Sequence, residues 1–484
     1  MQMIDGRSIA RTAARAIGWL ALGLMLLAGA WVLSNLKDID PVPRPDALAL
    51  PAAELADDVN AAFALAGLHA GVDREPAAVG RALWRLRLPD PAAAHKPLNA
   101  QEAKAQRQAE SKALGETQPA LPSLLCDLSQ AGCVEQWIAQ ADALASLRQP
   151  HATFGSRCEK LLASRFEFEE PLPPTLSAVG PLAVHAHSAS QCSQWLLSGA
   201  VLAWGRRDRT QSMVLFEQAD RLNRSLLAGS RTLLGQMIAL RQTRNTVNTL
   251  AAVAVRDPGM ATALAALLAP GLDPALAARR WMVTEAAFQR SLLADAWRAC
   301  RSPMDVMGED LLSGWESLEG KLGLFACRHN IGLHPERTLA ALDERWLHKL
   351  AALDRGLHAA VLQLAAESRS ANEAGMVGML AWRNPVGHLQ VSIGEPAYAG
   401  YLARQADLEL HREAALLALQ AAPIAPPERA AWASRQSLSP LAQGRLSWDA
   451  EGRTLSARTW QQEYAGGAGF NAERDAIRIT FPKP

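Results

Sequence analysis

The stretch Ala16–Leu36, AIGWLALGLMLLAGAWVLSNL, carries no charged residue, and it constrains this chain more than any other feature. About 20 apolar residues rising 1.5 Å each cross a hydrocarbon core of about 30 Å, so one helix here is long enough to span a membrane. Arg7, Arg11 and Arg15 precede it, whereas Lys37, Asp38 and Asp40 follow. That basic excess predicts a cytoplasmic tail over residues 1–15, a transmembrane helix over 16–36, and export of what comes after. The rival reading is a cleaved signal peptide, with Ala28-Gly29-Ala30 as the small-residue cleavage site. Trp31, Val32 and Leu33 prolong the apolar run past that site, which favours the anchor.

An exported body of this size must bury a core. Its 49% apolar content supports one, while a net charge of +1 gives no general attraction to nucleic acid. Cys126, Cys133, Cys158, Cys192, Cys300 and Cys327 all follow the apolar stretch. An even count in an oxidising compartment predicts disulfides, against the alternative of six buried thiols. Spacing alone does not fix the connectivity. The nearest-neighbour set is expected, 126–133, 158–192 and 300–327, because Asp127, Ser129 and Gly132 let the first loop close.

Composition shifts divide the body. Residues 37–52 hold Pro41, Pro43, Pro45 and Pro51 and read as an extended spacer that lifts the body off the membrane. Residues 53–89 read as a helical hairpin, with Leu55, Val59, Ala62, Phe63 and Ala66 on one helix and Pro76 opening a second through Val79, Leu83 and Leu86. Residues 90–122 form a polar linker or an exposed helix. Over 123–420 the helical period scarcely stops: Val134, Trp137, Ile138, Ala141 and Leu144 make one face, and Leu215, Phe216, Ala219, Leu222 and Leu226 another. The longest stripe runs from Pro335 through Leu339, Leu342, Trp346, Leu350, Leu353, Leu357, Val361 and Leu364, predicting one helix over 335–368. Tryptophans placed singly from Trp84 to Trp460 read as core anchors.

From 421 to 484 the pattern changes. Pro423, Pro426 and Pro427 break the helix, Leu446 and Trp448 face Leu455 and Ala457 across the turn Asp449–Gly452, and Ile477, Ile479 and Phe481 alternate in a last strand. The fold class expected is mainly α: an N-terminal transmembrane helix, an irregular or solenoid-like helical periplasmic body, and a small C-terminal β element.

No catalytic, cofactor-binding or metal-ligating residue is assigned from the sequence, and no cofactor is expected. Cys327-x-His329-x4-His334 has three zinc-capable side chains but no second ligand pair at ligand spacing. His185-Ala-His187 reads as a polar loop after Pro181, and Gly466-Gly467-Ala468-Gly469 lacks the lysine and hydroxyl of a phosphate loop.

Arg383-Asn384-Pro385-Val386-Gly387 is a defined turn, followed by a helical segment from Ala397 to Leu419 and an apolar strand with proline at Ile477–Pro482. In these features the last hundred or so residues resemble uncharacterised single-pass envelope proteins of Gram-negative bacteria, and the tail resembles the C-terminal part of a pseudopilin. The chain departs from pseudopilins in the long body between membrane helix and β element. The resemblance implies an envelope location and brings no activity with it.

The function expected is that of a protein-docking or assembly factor, anchored N-in in the bacterial inner membrane through residues 16–36, with its bulk periplasmic, protein partners in the envelope and no catalytic activity. The alternative is a periplasmic hydrolase with a dispersed active site. Reporter fusions made after residue 60 should be exported while the protein keeps its N-terminus; a soluble species beginning near Trp31 would turn the anchor into a signal peptide.

Overall fold

The computed structural model describes residues 6–35, 38–88, 100–115, 121–122, 124–128, 132–173, 183–301, 334–378, 383–384, 387, 391, 395–464 and 477–481. It is mainly helical, with one apolar N-terminal helix and a small three-stranded antiparallel sheet at the C-terminal end. The chain divides into two compact units, one of residues 1–45, 290–345 and 369–395, the other of 46–289, 346–368 and 396–484.

In the first unit, helix α1 is Gly6–Ser34. Its segment Ile17–Ser34 has a mean hydropathy of 1.9 and none of it is buried by protein, with Trp19, Leu20, Leu24 and Met25 exposed. A helix satisfies its own backbone bonds, so such a surface is suited to lipid. The helix does not end in a loose spacer. Asn35 is fully buried, its side chain accepts from the Asn384 backbone N–H at 3.0 Å, and its carbonyl lies 3.1 Å from His334 Nε2. Asn384 accepts from the His334 N–H at 2.8 Å and its amide donates to Thr338 Oγ1 at 3.0 Å. Asp38 accepts from the Glu336 and Arg337 N–H groups at 2.8 and 3.2 Å, at the start of the helix Pro335–Leu353. Residues 38–45 of the expected spacer carry no helix or strand; Asp38 is fastened to this unit, and in the other unit Leu48, on a 3-10 turn at Asp46–Leu48, is fully buried. Further along the first unit, Trp297 and Leu339 pack together with Leu293.

The second unit begins with the expected hairpin, α2 (Ala61–Ala66) against α3 (Pro76–Arg87). Leu55 and Val59 lie outside α2, which starts at its Asn60 cap, and Val59 is exposed. The polar stretch 90–122 holds the helix α4 (Ala100–Leu114), tied back by Arg87–Glu110 at 2.9 Å and by Ala113 and Leu114 on the cluster Ala70, Val79 and Leu83. The face Val134–Leu144 is split at Gln140 between α5 (Cys133–Ala139) and α6 (Ala141–Arg148). Helices α7 (Ala152–Ala163), α8 (Ala186–Gly205), α9 (Arg209–Gly229), α10 (Leu233–Ala254) and α11 (Pro258–Leu268) then stack in sequence.

Two disulfides staple this stack. Cys126–Cys133 closes a short loop and Cys158–Cys192 joins α7 to α8, with Cα atoms 5.6 and 5.8 Å apart. A side chain at Gly155 would strike the Trp195 ring, so glycine is what lets α7 and α8 approach as closely as the second disulfide requires. Of the expected pair 300–327, Cys300 falls in the helix Pro274–Arg301, while Cys327 lies outside the described residues.

After α12 (Pro274–Arg301) the predicted single helix 335–368 is two, α13 (Pro335–Leu353) and α14 (Leu357–Gly378). Gly356 has φ +98°, a left-handed conformation that costs glycine little and ends α13. The apolar spacing of three and four passes through this turn unbroken, which is why periodicity alone joins the two. Helix α15 (Glu395–Ala421) and the short α16 (Arg429–Ala433) lead to the sheet. Its strands β1 (Leu446–Trp448) and β2 (Thr454–Ala457) pair with Leu446 opposite Ala457 and Trp448 opposite Leu455, the register expected. The short α17 (Trp460–Tyr464) follows, and β3 (Ile477–Thr480) pairs with β2. Pro482, the end of the resemblance, lies outside the described residues.

Trp346 is fully buried, donates from Nε1 to Gln289 Oε1 at 3.0 Å, and meets Tyr398 edge-on with centroids 4.9 Å apart. Its neighbour Arg345 falls off the apolar stripe yet is half-buried, so exposed Glu344 is the proper control. Trp346→Ala should cost on the order of 3–5 kcal/mol and Glu344→Ala within about 0.5 kcal/mol, read by chemical denaturation of the detergent-solubilised chain; equal effects would show that Trp346 anchors no core.

Candidate anion-binding pocket

Helices α10 and α15 carry the arginines of a surface pocket in the second unit. Arg241, Arg244 and Asn245 follow Met237 and Leu240 along α10, and Arg404, Asp407 and Leu408 occupy one turn of α15. Spacings of three and four put such side chains on one helical face. Gln461 and Ile477 close the pocket from α17 and β3, leaving a cavity of ≈ 190 Å³. Its lining mixes guanidinium, carboxyl and amide groups with Met237, Leu240, Leu408 and Ile477.

The carboxyl group ties the pocket to the fold. Asp407 accepts from the Trp460 and Gln461 N–H groups at 2.5 and 3.1 Å, which caps α17. Burial pushes the acid up to about 7, against the opposing pull of those N–H groups and of the Arg244 and Arg445 charges. Arg445 in turn lies 3.5 Å from the centroid of the Trp460 ring. One turn beyond, His411 is fully buried and held neutral, its acidity displaced to about 3 by burial and then by the Arg244 charge. Arg241 pairs with Asp127 at 2.7 Å, both half in solvent, an ion pair that water and salt weaken. Arg404 lies 5.4 Å from the Tyr401 ring centroid and forms no ion pair among the described residues. The arrangement can hold an anion by the fork geometry of guanidinium groups.

A second set of polar groups sits deeper in the same unit. The Tyr398 hydroxyl donates to Glu285 at 2.9 Å and also contacts Gln289, while Lys349 lies 4.4 Å from the Trp346 ring centroid. Burial raises both Glu285 and Tyr398, so neither gives up its proton readily and the set acts as a packed hydrogen-bond network. A second cavity of ≈ 260 Å³ is bordered by Trp84, Glu169, Glu170 and Arg231. Its charges serve the fold: Glu170 accepts from the Arg231 and Thr232 N–H groups at 2.8 Å, and Glu169 pairs with Arg231 at 3.0 Å.

The sequence candidates fall elsewhere. His185 lies in the turn just before α8 but is buried there, edge-on to Phe168, and held neutral by burial at about 3. His187 faces the His69 ring instead, at 5.8 Å. His334 belongs to the junction at the end of α1, while Cys327, His329 and Gly466–Gly469 lie outside the described residues. Among the described residues no group of three His, Cys, Asp or Glu side chains is placed to hold a metal ion. The pocket was missed because its arginines lie on two helices far apart in the chain, where each reads as a solvated face. Comparison with known proteins returns no match, whether among family models, curated proteins or solved structures.

Asp407 binds its proton more tightly in the folded chain than unfolded, so it contributes stability at low pH that is lost as pH rises through about 7. Between pH 5 and pH 8 this loss should amount to roughly 2–3 kcal/mol. Asp407→Asn should remove that part of the slope in denaturation midpoints; a slope equal to that of the unaltered chain would show Asp407 to titrate normally.

Proposed function

We propose that the protein is a membrane-anchored docking or assembly factor of the bacterial envelope, held N-in in the inner membrane, which presents its pocketed helical body to a partner in the periplasm. The observation that carries this reading is the arginine-lined pocket between α10 and α15. Among the described residues outside α1, the large exposed apolar side chains Val42, Val59, Val72, Leu86, Val214, Leu234, Leu276 and Leu362 come from separate segments, whereas the pocket brings three arginines together.

Two further features support it. The end of α1 is bonded to His334 and Asn384, so the first unit is fixed at the end of the apolar helix. Both disulfides lie in the second unit and suit the oxidising compartment that the basic N-terminal tail predicts. The resemblance of the Asn384 turn and β tail to single-pass envelope proteins agrees with this location and assigns no activity.

Leu234 is exposed two turns before Arg241, on the same face of α10. A photo-crosslinking residue at Leu234 should give one discrete protein adduct in intact envelopes, and the same residue at exposed Val72 should not. Adducts with lipid alone, or the same pattern from both positions, would refute docking at this face.

A further inference from the structure

Residues 50–59 carry no helix or strand, and Pro51–Glu54 are exposed. They lie across Glu169 and Arg231, an ion pair at 3.0 Å whose two side chains are buried. The pair holds this strap by its backbone. Glu169 accepts from the Glu54 and Leu55 N–H groups at 2.8 and 2.9 Å, and Arg231 donates to the Pro51 carbonyl. Two successive N–H groups and a carbonyl belong to any polypeptide able to take this bend, so the bonds select a backbone shape and leave side chains unread. Glu54 also reaches Arg280 at 3.7 Å, from an exposed position where an ion pair adds little.

The strap does not fill the space it spans. A cavity of ≈ 260 Å³ remains, lined by Ala53 and Leu55 of the strap together with Trp84 of α3, Pro171 and Leu172. A benzene molecule fits a cavity of about 150 Å³, so there is room for a leucine or aromatic side chain where Ala53 offers one methyl group. Asp57, Glu169 and Glu170 outnumber Arg231 around this space, which disfavours an acidic side chain in it. The clamp is also costly to leave empty, because Glu169 and Arg231 would each lose a hydrogen bond at a buried site. The strap is therefore best released by exchange for another backbone.

We propose that Leu50–Leu55 is a resident stand-in for a segment of a partner polypeptide: the partner's backbone takes over Glu169 and Arg231, and a large apolar side chain in the place of Ala53 fills the cavity beside Trp84. This rests on the docking reading above and adds to it a groove that shares no lining residue with the α10–α15 pocket. Being tethered, the strap competes at an effective concentration on the order of millimolar. Burial of the larger side chain gives the partner an advantage of about ten- to hundredfold over a segment with alanine there.

The test uses the full chain in lipid nanodiscs, with empty nanodiscs as the blank, and fluorescein-labelled Leu-Pro-Ala-Phe-Glu-Leu amide followed by fluorescence polarisation. This peptide should bind at least about tenfold more tightly than Leu-Pro-Ala-Ala-Glu-Leu amide. Exchanging residues 50–55 for Gly-Ser-Gly-Ser-Gly-Ser weakens the resident competitor and should lower the Kd of the phenylalanine peptide; circular dichroism checks that this chain folds. Ala53→Phe, at an exposed position, supplies the missing side chain within the strap and should raise the denaturation midpoint while abolishing peptide binding. Equal binding of the two peptides, or no binding to either chain, would overturn the assignment. So would an Ala53→Phe chain whose midpoint does not rise or which still binds the peptide. The reversed sequence Leu-Glu-Phe-Ala-Pro-Leu amide binding as tightly would refute it as well, marking a nonspecific apolar surface, and acetyl-phenylalanine amide competing as well as the peptide would mark a small-molecule cavity instead. Loss of the phenylalanine preference with the Leu234 adduct intact removes the strap groove and leaves docking; loss of the adduct with that preference intact does the reverse.

Discussion

The first turn of a helix leaves backbone N–H groups without partners, and in this protein carboxylates from distant segments meet N–H groups there or just ahead of the helix. Glu170 closes the approach to α10, Asp407 caps α17, and Glu409 accepts from the Leu272 N–H at 3.1 Å just ahead of α12. Asp38 does the same for α13. Each bond joins a negative charge to the positive end of a helix, and hydrogen bonds to charged groups contribute about 1.5–3 kcal/mol. A mainly helical chain has few ladders to fix one segment against another. These carboxylates supply that fixing, and the remaining architecture hangs on where they point.

They also explain why so much carboxyl acidity is displaced. Burial raises Glu170, Glu285 and Asp407, and in Glu170 and Asp407 the same helix N–H groups pull the other way. A carboxylate that caps a helix from inside the core is held between losing water and gaining donors. Asp407 is the one of these that also lines the pocket between α10 and α15, so one side chain both caps a helix and shapes a cavity.

The amphipathic period and the apolar stretch made much of this fold legible in the sequence. Phe216, Ala219 and Leu222 are buried as their spacing requires, the tryptophans at 137, 281, 346 and 460 are core anchors, and the C-terminal hairpin keeps the register its alternation implies. Periodicity failed where a turn preserved phase, as at Gly356 between Leu353 and Leu357, and where a capped start cut a helix short, as at Asn60. The pocket was illegible for another reason. Arg244 and Arg404 come together only because α10 and α15 face each other, and nothing local in either helix marks them.

Asn35 and His334 are 299 residues apart in sequence, and Asp38 and Glu336 are separated by 298. Translation proceeds at roughly 5–20 residues per second, so the end of α1 waits roughly 15–60 s after it leaves the ribosome before its partners exist. Closing this junction is thus a late event in the birth of the chain, and the apolar helix is made well before the contacts that hold its far end can form.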